Sequence, residues 1–300
     1  MSNSMADLRR KISTADDLQS VVRTMKAMAA SSVEQYERSV LALHDYYQVI
    51  ELGLSACFQK GVVDEATSPL RAGLVASSTT KPKGISAIVF GSDQGLVGQF
   101  NDVITDFAVE KLSDVASELK VWAVGERVHG RLADSGLPLQ GLFPVPNSVK
   151  GIASLVGLIQ IESISNQLED ESTSVFVFHN RPQTGSLYKP VSQRLLPLDW
   201  QWKQLLTDLR WPTHSRAEIL GDDLVTLQSL IHEYLFITLY RSCAESLASE
   251  NASRLVAMQR ADKNIDELLE TLHTRSHRQR QGSIDEELFD VVSGFDALSS

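Results

Sequence analysis

"YRSCAESLASENASRLVAMQRADKNIDELLETL", residues 240–272, contains neither glycine nor proline. These are the two residues that cost a helix interior most, so their absence predicts one unbroken helix. Its apolar positions nevertheless do not keep to a single clean face. An amphipathic helix lying on its own core would show one stripe, and this stretch does not. What covers such a helix decides how the whole chain is built.

The run free of helix breakers extends further in both directions, from Asp222 to Gln281, 60 residues in all. Wholly helical, it would reach about 90 Å at 1.5 Å per residue. At the other end the first glycine is Gly53, and all 9 prolines fall between Pro69 and Pro212. A helix over the first fifty residues would reach about 75 Å, which is again wider than a compact domain of this chain length. The chain therefore reads as two long terminal helices flanking a punctuated middle.

Periodicity supports the terminal helices. Ala29, Val33, Tyr36, Val40, Leu43, Tyr47, Ile50 and Leu54 follow steps of four and three without a miss. That repeat keeps one stripe facing a partner helix and imposes a left-handed supercoil. Leu8, Ile12, Ala15, Val22 and Met25 continue it upstream, with Gln19 as a polar interruption. Leu220, Leu224, Leu227, Ile231, Tyr234 and Thr238 run in the same steps near the other end. Two such stripes at opposite ends of one chain predict an antiparallel pair. Beyond Thr238 the stripe degrades: Arg241, Glu245, Gln259 and Asp262 stand where apolar residues would continue it, and Ala244, Ala248, Ala252 and Ala257 keep the helix slim. It is either a solvated helix end or a shaft whose covering surface belongs to other chains.

The middle has a different rhythm. "ISAIVF" (85–90), "KVWAV" (120–124) and "SVFVFH" (174–179) read as short buried strands, with helices over 101–115 and 154–168 between them. Alternating strand and helix predicts a largely parallel α/β sheet of Rossmann-like type. The expected organisation is an N-terminal coiled-coil helix over 1–60, a linker over 61–83, an α/β domain over 84–212 and a C-terminal coiled-coil helix over 213–298.

Composition narrows the chemistry. With 28 Lys and Arg against 38 Asp and Glu, the formal charge is −10, which argues against general nucleic-acid binding. No apolar run approaches the roughly 20 residues that span a bilayer, and the N-terminus has no apolar signal core. Cys57 and Cys243 are the 2 cysteines and form no metal framework or redox motif. "GSDQGLVGQFN" (91–101) joins a strand to a helix, the place where many α/β proteins hold phosphate. Its glycines do not form G-x-G-x-x-G and no G-K-[ST] follows, so a tight packing turn is the better reading. His129, His179 and His214 lack metal spacing, and no G-x-S-x-G appears. His273 and His277 are four apart but lack the acidic neighbour of a zinc helix, and "HTRSHRQR" (273–280) reads as a local basic face. No catalytic, cofactor or metal residue is expected.

Four separated segments resemble one family, the γ subunit of rotary F-type ATP synthases. They are "RRKISTADDLQSVVRTMKAMAAS" (9–31), "SDQGLVGQFN" (92–101), "ESLASENASRLVAM" (245–258) and "RQGSIDEELFDVVSG" (280–294), and they occur in the family's order. The resemblance implies a central-stalk rotor, a non-catalytic subunit of a proton- or sodium-transporting ATPase. Its terminal helices would form a coiled coil inside a ring of three α and three β subunits, with the slim segment housed by those subunits. Its α/β domain would meet the ε subunit and the membrane c-ring, as a peripheral protein on the cytoplasmic face of a bacterial inner membrane. By motif position Met25 and Arg254 would face the β subunits near mid-shaft, and Arg280, Gln281 and Glu287 would contact their loops higher up.

The sequence also departs from the family pattern. "SVEQYER" (32–38) carries Glu34 and Glu37 where basic residues are usual, and "IDEE" (284–287) replaces a hydroxyl and an amide with acids. Gln94 and Val97 stand for a usual arginine and cysteine. These changes lower the shaft's positive charge and suggest a divergent branch such as the alternate, sodium-linked type. A non-enzymatic coiled-coil scaffold would explain the heptads but not four ordered matches. A nucleotide-binding α/β enzyme would need the phosphate loop that 91–101 lacks.

Overall fold

A computed structural model describes residues 2–60, 84–113, 118–164, 173–184, 186–198, 200–209, 211–213, 215 and 217–298. The linker expected over 61–83, the last residues of the two helices expected over 101–115 and 154–168, and His214 lie outside the described residues. Helix α1 runs from Ser2 to Gln59. The chain divides into two compact units, Met1–Ala30 with Arg254–Ser300, and Ser31–Ser253.

In the first unit, rising numbers on α1 meet falling numbers on the C-terminal helix, so the two segments are antiparallel. Ala15 packs with Leu269 and Leu272, and Leu8, Ile12 and Ile265 border them. Gln19, the polar interruption, is 8% exposed and donates to the Asp266 carboxylate. One turn on, Asp262 accepts from Lys26 Nζ at 2.5 Å and Arg23 Nε at 3.2 Å. The hydrogen bond from Lys26, helped by Arg23, holds its carboxyl below the usual range. Polar cross-links thus take over where the apolar stripe fails. Lys26 and Arg23 remain partly exposed, so their pairs with Asp262 fix register more than they stabilise.

The second unit holds the other half of the coiled coil and the sheet. Tyr36, Ile50 and Leu54 of α1 are buried with Leu227, Ile231 and Tyr234, as the heptad spacing requires. The Tyr47 and Tyr234 rings lie 5.8 Å apart, Tyr46 Oη donates to Glu233 at 3.0 Å, and Lys60 pairs with Asp223 at 2.8 Å. This pairing too is antiparallel.

Five strands form one sheet: β1 (Gly84–Phe90), β2 (Glu118–Val124), β3 (Leu139–Phe143), β4 (Thr173–Gln183) and β5 (Ser186–Leu196), in the order β3-β2-β1-β4-β5. Pairs β1–β2, β1–β4 and β2–β3 are parallel, while β5 returns antiparallel along β4. The central strand β1 is buried throughout. Its residues alternate between the two faces. Ile85, Ala87 and Val89 pack with helices α2 (Phe100–Ser113) and α3 (Glu126–Asp134) through Ile104, Ala108, Val128 and Leu132. Ile88 and Phe90 belong to the opposite core, with Ile152, Val156 and Ile159 of α4 (Val149–Ile159) and the coiled coil. A π-helical turn, Gln160–Ile164, ends α4. The short α5 (Trp200–Thr207) places the Trp202 ring 4.5 Å from Tyr234 and 6.3 Å from Phe58.

The last helix, α6, spans Asp223–Leu298, 76 residues. Gly221, at φ +98°, turns the chain into it, and the Asp222 carboxylate accepts from the backbone N–H groups of Leu224 and Val225 at 2.9 and 3.0 Å. That is N-cap geometry, satisfying donors the helix itself cannot. It corrects one expectation: Leu220 precedes the helix and is 86% exposed, and Leu224 is 40% exposed, so the buried stripe begins at Leu227. Gly282 does not end α6. Together the elements are a long antiparallel coiled coil with a Rossmann-like α/β domain.

Candidate functional site

Every residue from Ser242 to Asn251 is buried, whichever face of the helix it occupies. Cys243, Ala244, Ser246, Ala248 and Ser249 are small, so the α6 backbone can approach the sheet closely. Polar groups then need partners within the protein. Glu245, Ser249 and Ser253 recur every four residues, hence on one face of α6. Together they form a hydrogen-bonded seam.

Glu245, 5% exposed, anchors that seam. Its Oε2 accepts from His179 Nε2 and Arg181 Nε, both at 2.8 Å, and its Oε1 from Arg241 Nε at 2.8 Å. Ser249 Oγ donates to the Asn180 carbonyl at 3.0 Å, and Asn180 Nδ2 donates to the Phe100 carbonyl at 3.0 Å. Ser253 Oγ donates to the Val97 carbonyl at 2.6 Å. Strand β4, the start of α2 and the glycine loop are thereby tied to a single helix.

The electrostatics make Glu245 a buried anion. Burial alone would raise the Glu245 pKa; hydrogen bonds from His179, Arg241 and Arg181 outweigh it and hold the carboxyl at about 2. Burial lowers the His179 pKa and outweighs the pull of the carboxylate, so the imidazole is neutral and donates from Nε2. Its Nδ1 has no hydrogen-bond partner among the described residues. A bare lone pair there costs less than the buried N–H that protonation would create.

This seam corrects the expected housing of the slim segment. Over Ser242–Asn251 the chain itself buries α6, through the bonds to β4 and a core that also holds Tyr36, Ile50 and Leu54 of α1, and other subunits are not needed there. Arg241 and Glu245 break the heptad because they form an ion cluster with β4. Asp262 breaks it because it faces Arg23 and Lys26. Gln259 is exposed.

The loop 91–101 closes on itself. Asn101 Oδ1 accepts from the Ser92 N–H at 3.0 Å and its Nδ2 donates to Ser92 Oγ at 2.8 Å. Asp93 accepts from the backbone N–H of Glu126 at 3.0 Å and from that of Val145 at 3.0 Å. A Cβ on Gly91 would collide with Val128. Leu96 sits at φ +62° and is 62% exposed, while its neighbour Val97 is buried. The motif's polar groups are thus used to build the turn. An open cavity of about 400 Å3 beside it is lined by Arg127 and Arg131 but also by Asp102, Glu126 and Asp134, and Arg131 is paired to Asp102 at 2.9 Å. That mixed lining does not select a phosphate.

The residues expected at subunit contacts fall in two settings. Met25, on α1, and Arg254, on α6, are half-buried. Arg280, Gln281 and Glu287 are exposed, on the same part of α6 as exposed Ile284, Leu288, Phe289, Val291 and Val292. His273 and His277 are exposed. Among the described residues no cluster of side chains could hold a metal ion, and no helix is long and apolar enough to cross a membrane.

A family model described as ATP synthase matches residues 4–298. The chain belongs to the ATP synthase family. Among its relatives is the ATP synthase gamma chain of Elusimicrobium minutum, 26% identical over 305 residues, covering 99% of both chains. That of Moorella thermoacetica is 27% identical over 305 residues, covering 98% of this chain and 99% of the other. Among solved structures, a chain of the Euglena gracilis mitochondrial ATP synthase superposes with a TM-score of 0.61 at 15% identity, covering 99% of this chain and 95% of that one. A chain from the central stalk and c-ring of the Tetrahymena thermophila enzyme gives 0.56 at 19% identity, covering 80% and 99%. The family resemblance and the fold read from the sequence are both borne out.

Proposed function

We propose that this chain is the γ subunit of an F-type ATP synthase, a non-catalytic rotor that couples ion flow to ATP synthesis or hydrolysis. The observation that carries the reading is the end-to-end likeness to gamma chains, over 98–99% of this chain. The structure supplies what a rotor needs. Continuous helix gives stiffness, and the apolar side chains left exposed on the last turns of α6 suit a surface that turns against neighbours. Each orientation of an uneven shaft would favour a different conformation of the surrounding sites, and coupling works only through such differences in contact energy.

On this reading the partners are the α and β subunits, the ε subunit and the membrane c-ring. The place is the cytoplasmic face of a bacterial inner membrane, with the subunit bound peripherally. The contact residues are Met25, Arg254, Arg280, Gln281 and Glu287, and Arg280 suits a carboxylate because its planar fork pairs bidentately. The proposed domain limits are 1–60 and 213–298 for the coiled-coil segments, the second including the capped turn at 221–222 ahead of α6, with 61–83 as the linker and 84–212 as the α/β domain.

The test is affinity purification of the tagged chain from its own cells. The expected result is a six-membered ATPase ring with one copy of this chain, whose coupled turnover falls on Arg254→Glu. Recovery as a homodimer without the ring would refute the proposal.

A further inference from the structure

We infer that Glu245 is the joint between the sheet domain and the long helix, the positioning residue that keeps the two from slipping when torque passes through them. The inference rests on the rotor reading above and adds a positioning residue to it.

A joint under torque must resist sliding and twisting of one element on another. Apolar contact resists separation but is non-directional, so it opposes sliding only where large side chains interlock. Along Ser242–Ser253 the helix presents mostly Ser, Ala and Cys, which form low ridges. Resistance must come from directional bonds, and charge-assisted ones are roughly twice as strong as neutral ones. Glu245 provides such a cross-link between α6 and β4, through His179 and Arg181. Arg241, one turn earlier on α6, holds the other carboxylate oxygen and fixes the side chain's direction.

The placement along β4 strengthens the case. His179, Asn180 and Arg181 are consecutive, and all three bond to α6: His179 and Arg181 to Glu245, Asn180 through its carbonyl to Ser249. β4 is paired on both sides, to β1 and to β5. His179–Arg181 pair with β5 and directly continue the stretch Thr173–Phe178 that pairs with β1, so a force applied at Glu245 enters the sheet through the β4–β5 hairpin. Ser249 and Ser253 add neutral hydrogen bonds along the same face and act as secondary ties.

The experiment uses the assembled ATPase ring fixed to a surface, with a magnetic bead on the sheet domain through Glu110→Cys. Cys57 and Cys243 are buried, so the exposed Cys at position 110 is labelled selectively. Opposing torque is raised until rotation stalls or slips. Glu245→Gln keeps the side chain's size but removes its charge. The expected result is unloaded ATP hydrolysis within about twofold of the parent and a stall torque lower by about twofold. Arg181→Ala removes one donor at a partly exposed position that tolerates truncation, and should lower the stall torque by a smaller factor. Parental stall torque in Glu245→Gln overturns the inference. If Glu245→Gln does not assemble, parental torque in Arg181→Ala overturns it instead. A parent complex whose bead does not rotate at all would refute the rotor reading, not the joint.

Discussion

Asp93→Ala is expected to weaken the fold of the sheet domain, because its carboxylate staples three loops. One oxygen accepts from the Glu126 N–H at the start of α3 and the other from the Val145 N–H after β3, each at 3.0 Å. Hydrogen bonds to a charged group contribute about 1.5–3 kcal/mol each. Asp93 is only half-buried and water can replace part of each bond. Discounted for that access, the pair is worth about 2–3 kcal/mol. Asp93→Asn has the same shape but one acceptor oxygen, so it should keep one bond and lose about half as much. Urea unfolding of the purified chain, followed by tryptophan fluorescence, measures both. With a slope near 2.5 kcal/mol/M, the midpoint should fall by roughly 1 M for Ala and roughly 0.5 M for Asn. An Ala midpoint within about 0.3 M of the parent, or an Asn variant as weak as Ala, would refute the stapling role.

Leu54→Ala empties a fully buried position where α1 meets the main core, and should cost about 2–5 kcal/mol in the same assay; a loss below about 1 kcal/mol would mean the site collapses without a cavity. Gly282→Ala places a methyl in open space inside a helix and should stabilise the local helix by about 1 kcal/mol. Slower amide exchange around residue 282 would show it, and unchanged exchange would contradict it. Glu245 has a folded-state pKa of about 2 against an ordinary 4.5, so its stabilisation is present above pH 4.5 and is lost as pH falls towards 2. Asp262 shifts in the same direction, through Lys26 and Arg23. Stability should therefore fall on acidification through that window, and Glu245→Gln should be less stable at neutral pH with a shallower acid slope. An acid slope identical to the parent's would contradict the buried-anion assignment. Burial raises the Tyr47 and Tyr234 pKa values, so stability should also be lost above about pH 10, where the unfolded tyrosines ionise.

The terminal helices were legible because their signals are local. Breaker-free length and a 3.5-residue stripe identify a coiled coil without tertiary knowledge, and every N-terminal stripe position from Ala29 to Leu54 is buried or half-buried. The three interior strands were legible as apolar runs. Edge strands were not: "LQGLF" mixes exposed and covered positions, and "SLYKPVSQRLL" carries Lys189 and Pro190, which only an edge tolerates. Helices α3 and α5 are 9 and 8 residues long, too short for periodicity to identify them. The seam was hidden for another reason. Glu245 and Arg241 look like surface residues on a degraded stripe, and their partner His179 lies 66 residues away in sequence. The available signal was a run of small residues flanking a charge on a breaker-free helix, which marks close backbone approach around a buried ion.

Rotation itself is the most direct measurement. With the ATPase ring immobilised and a light-scattering probe on Glu110→Cys, ATP should drive the sheet domain round in one direction, pausing at three orientations per turn. A probe that stays at one angle while the ring hydrolyses ATP at its normal rate would contradict the rotor assignment.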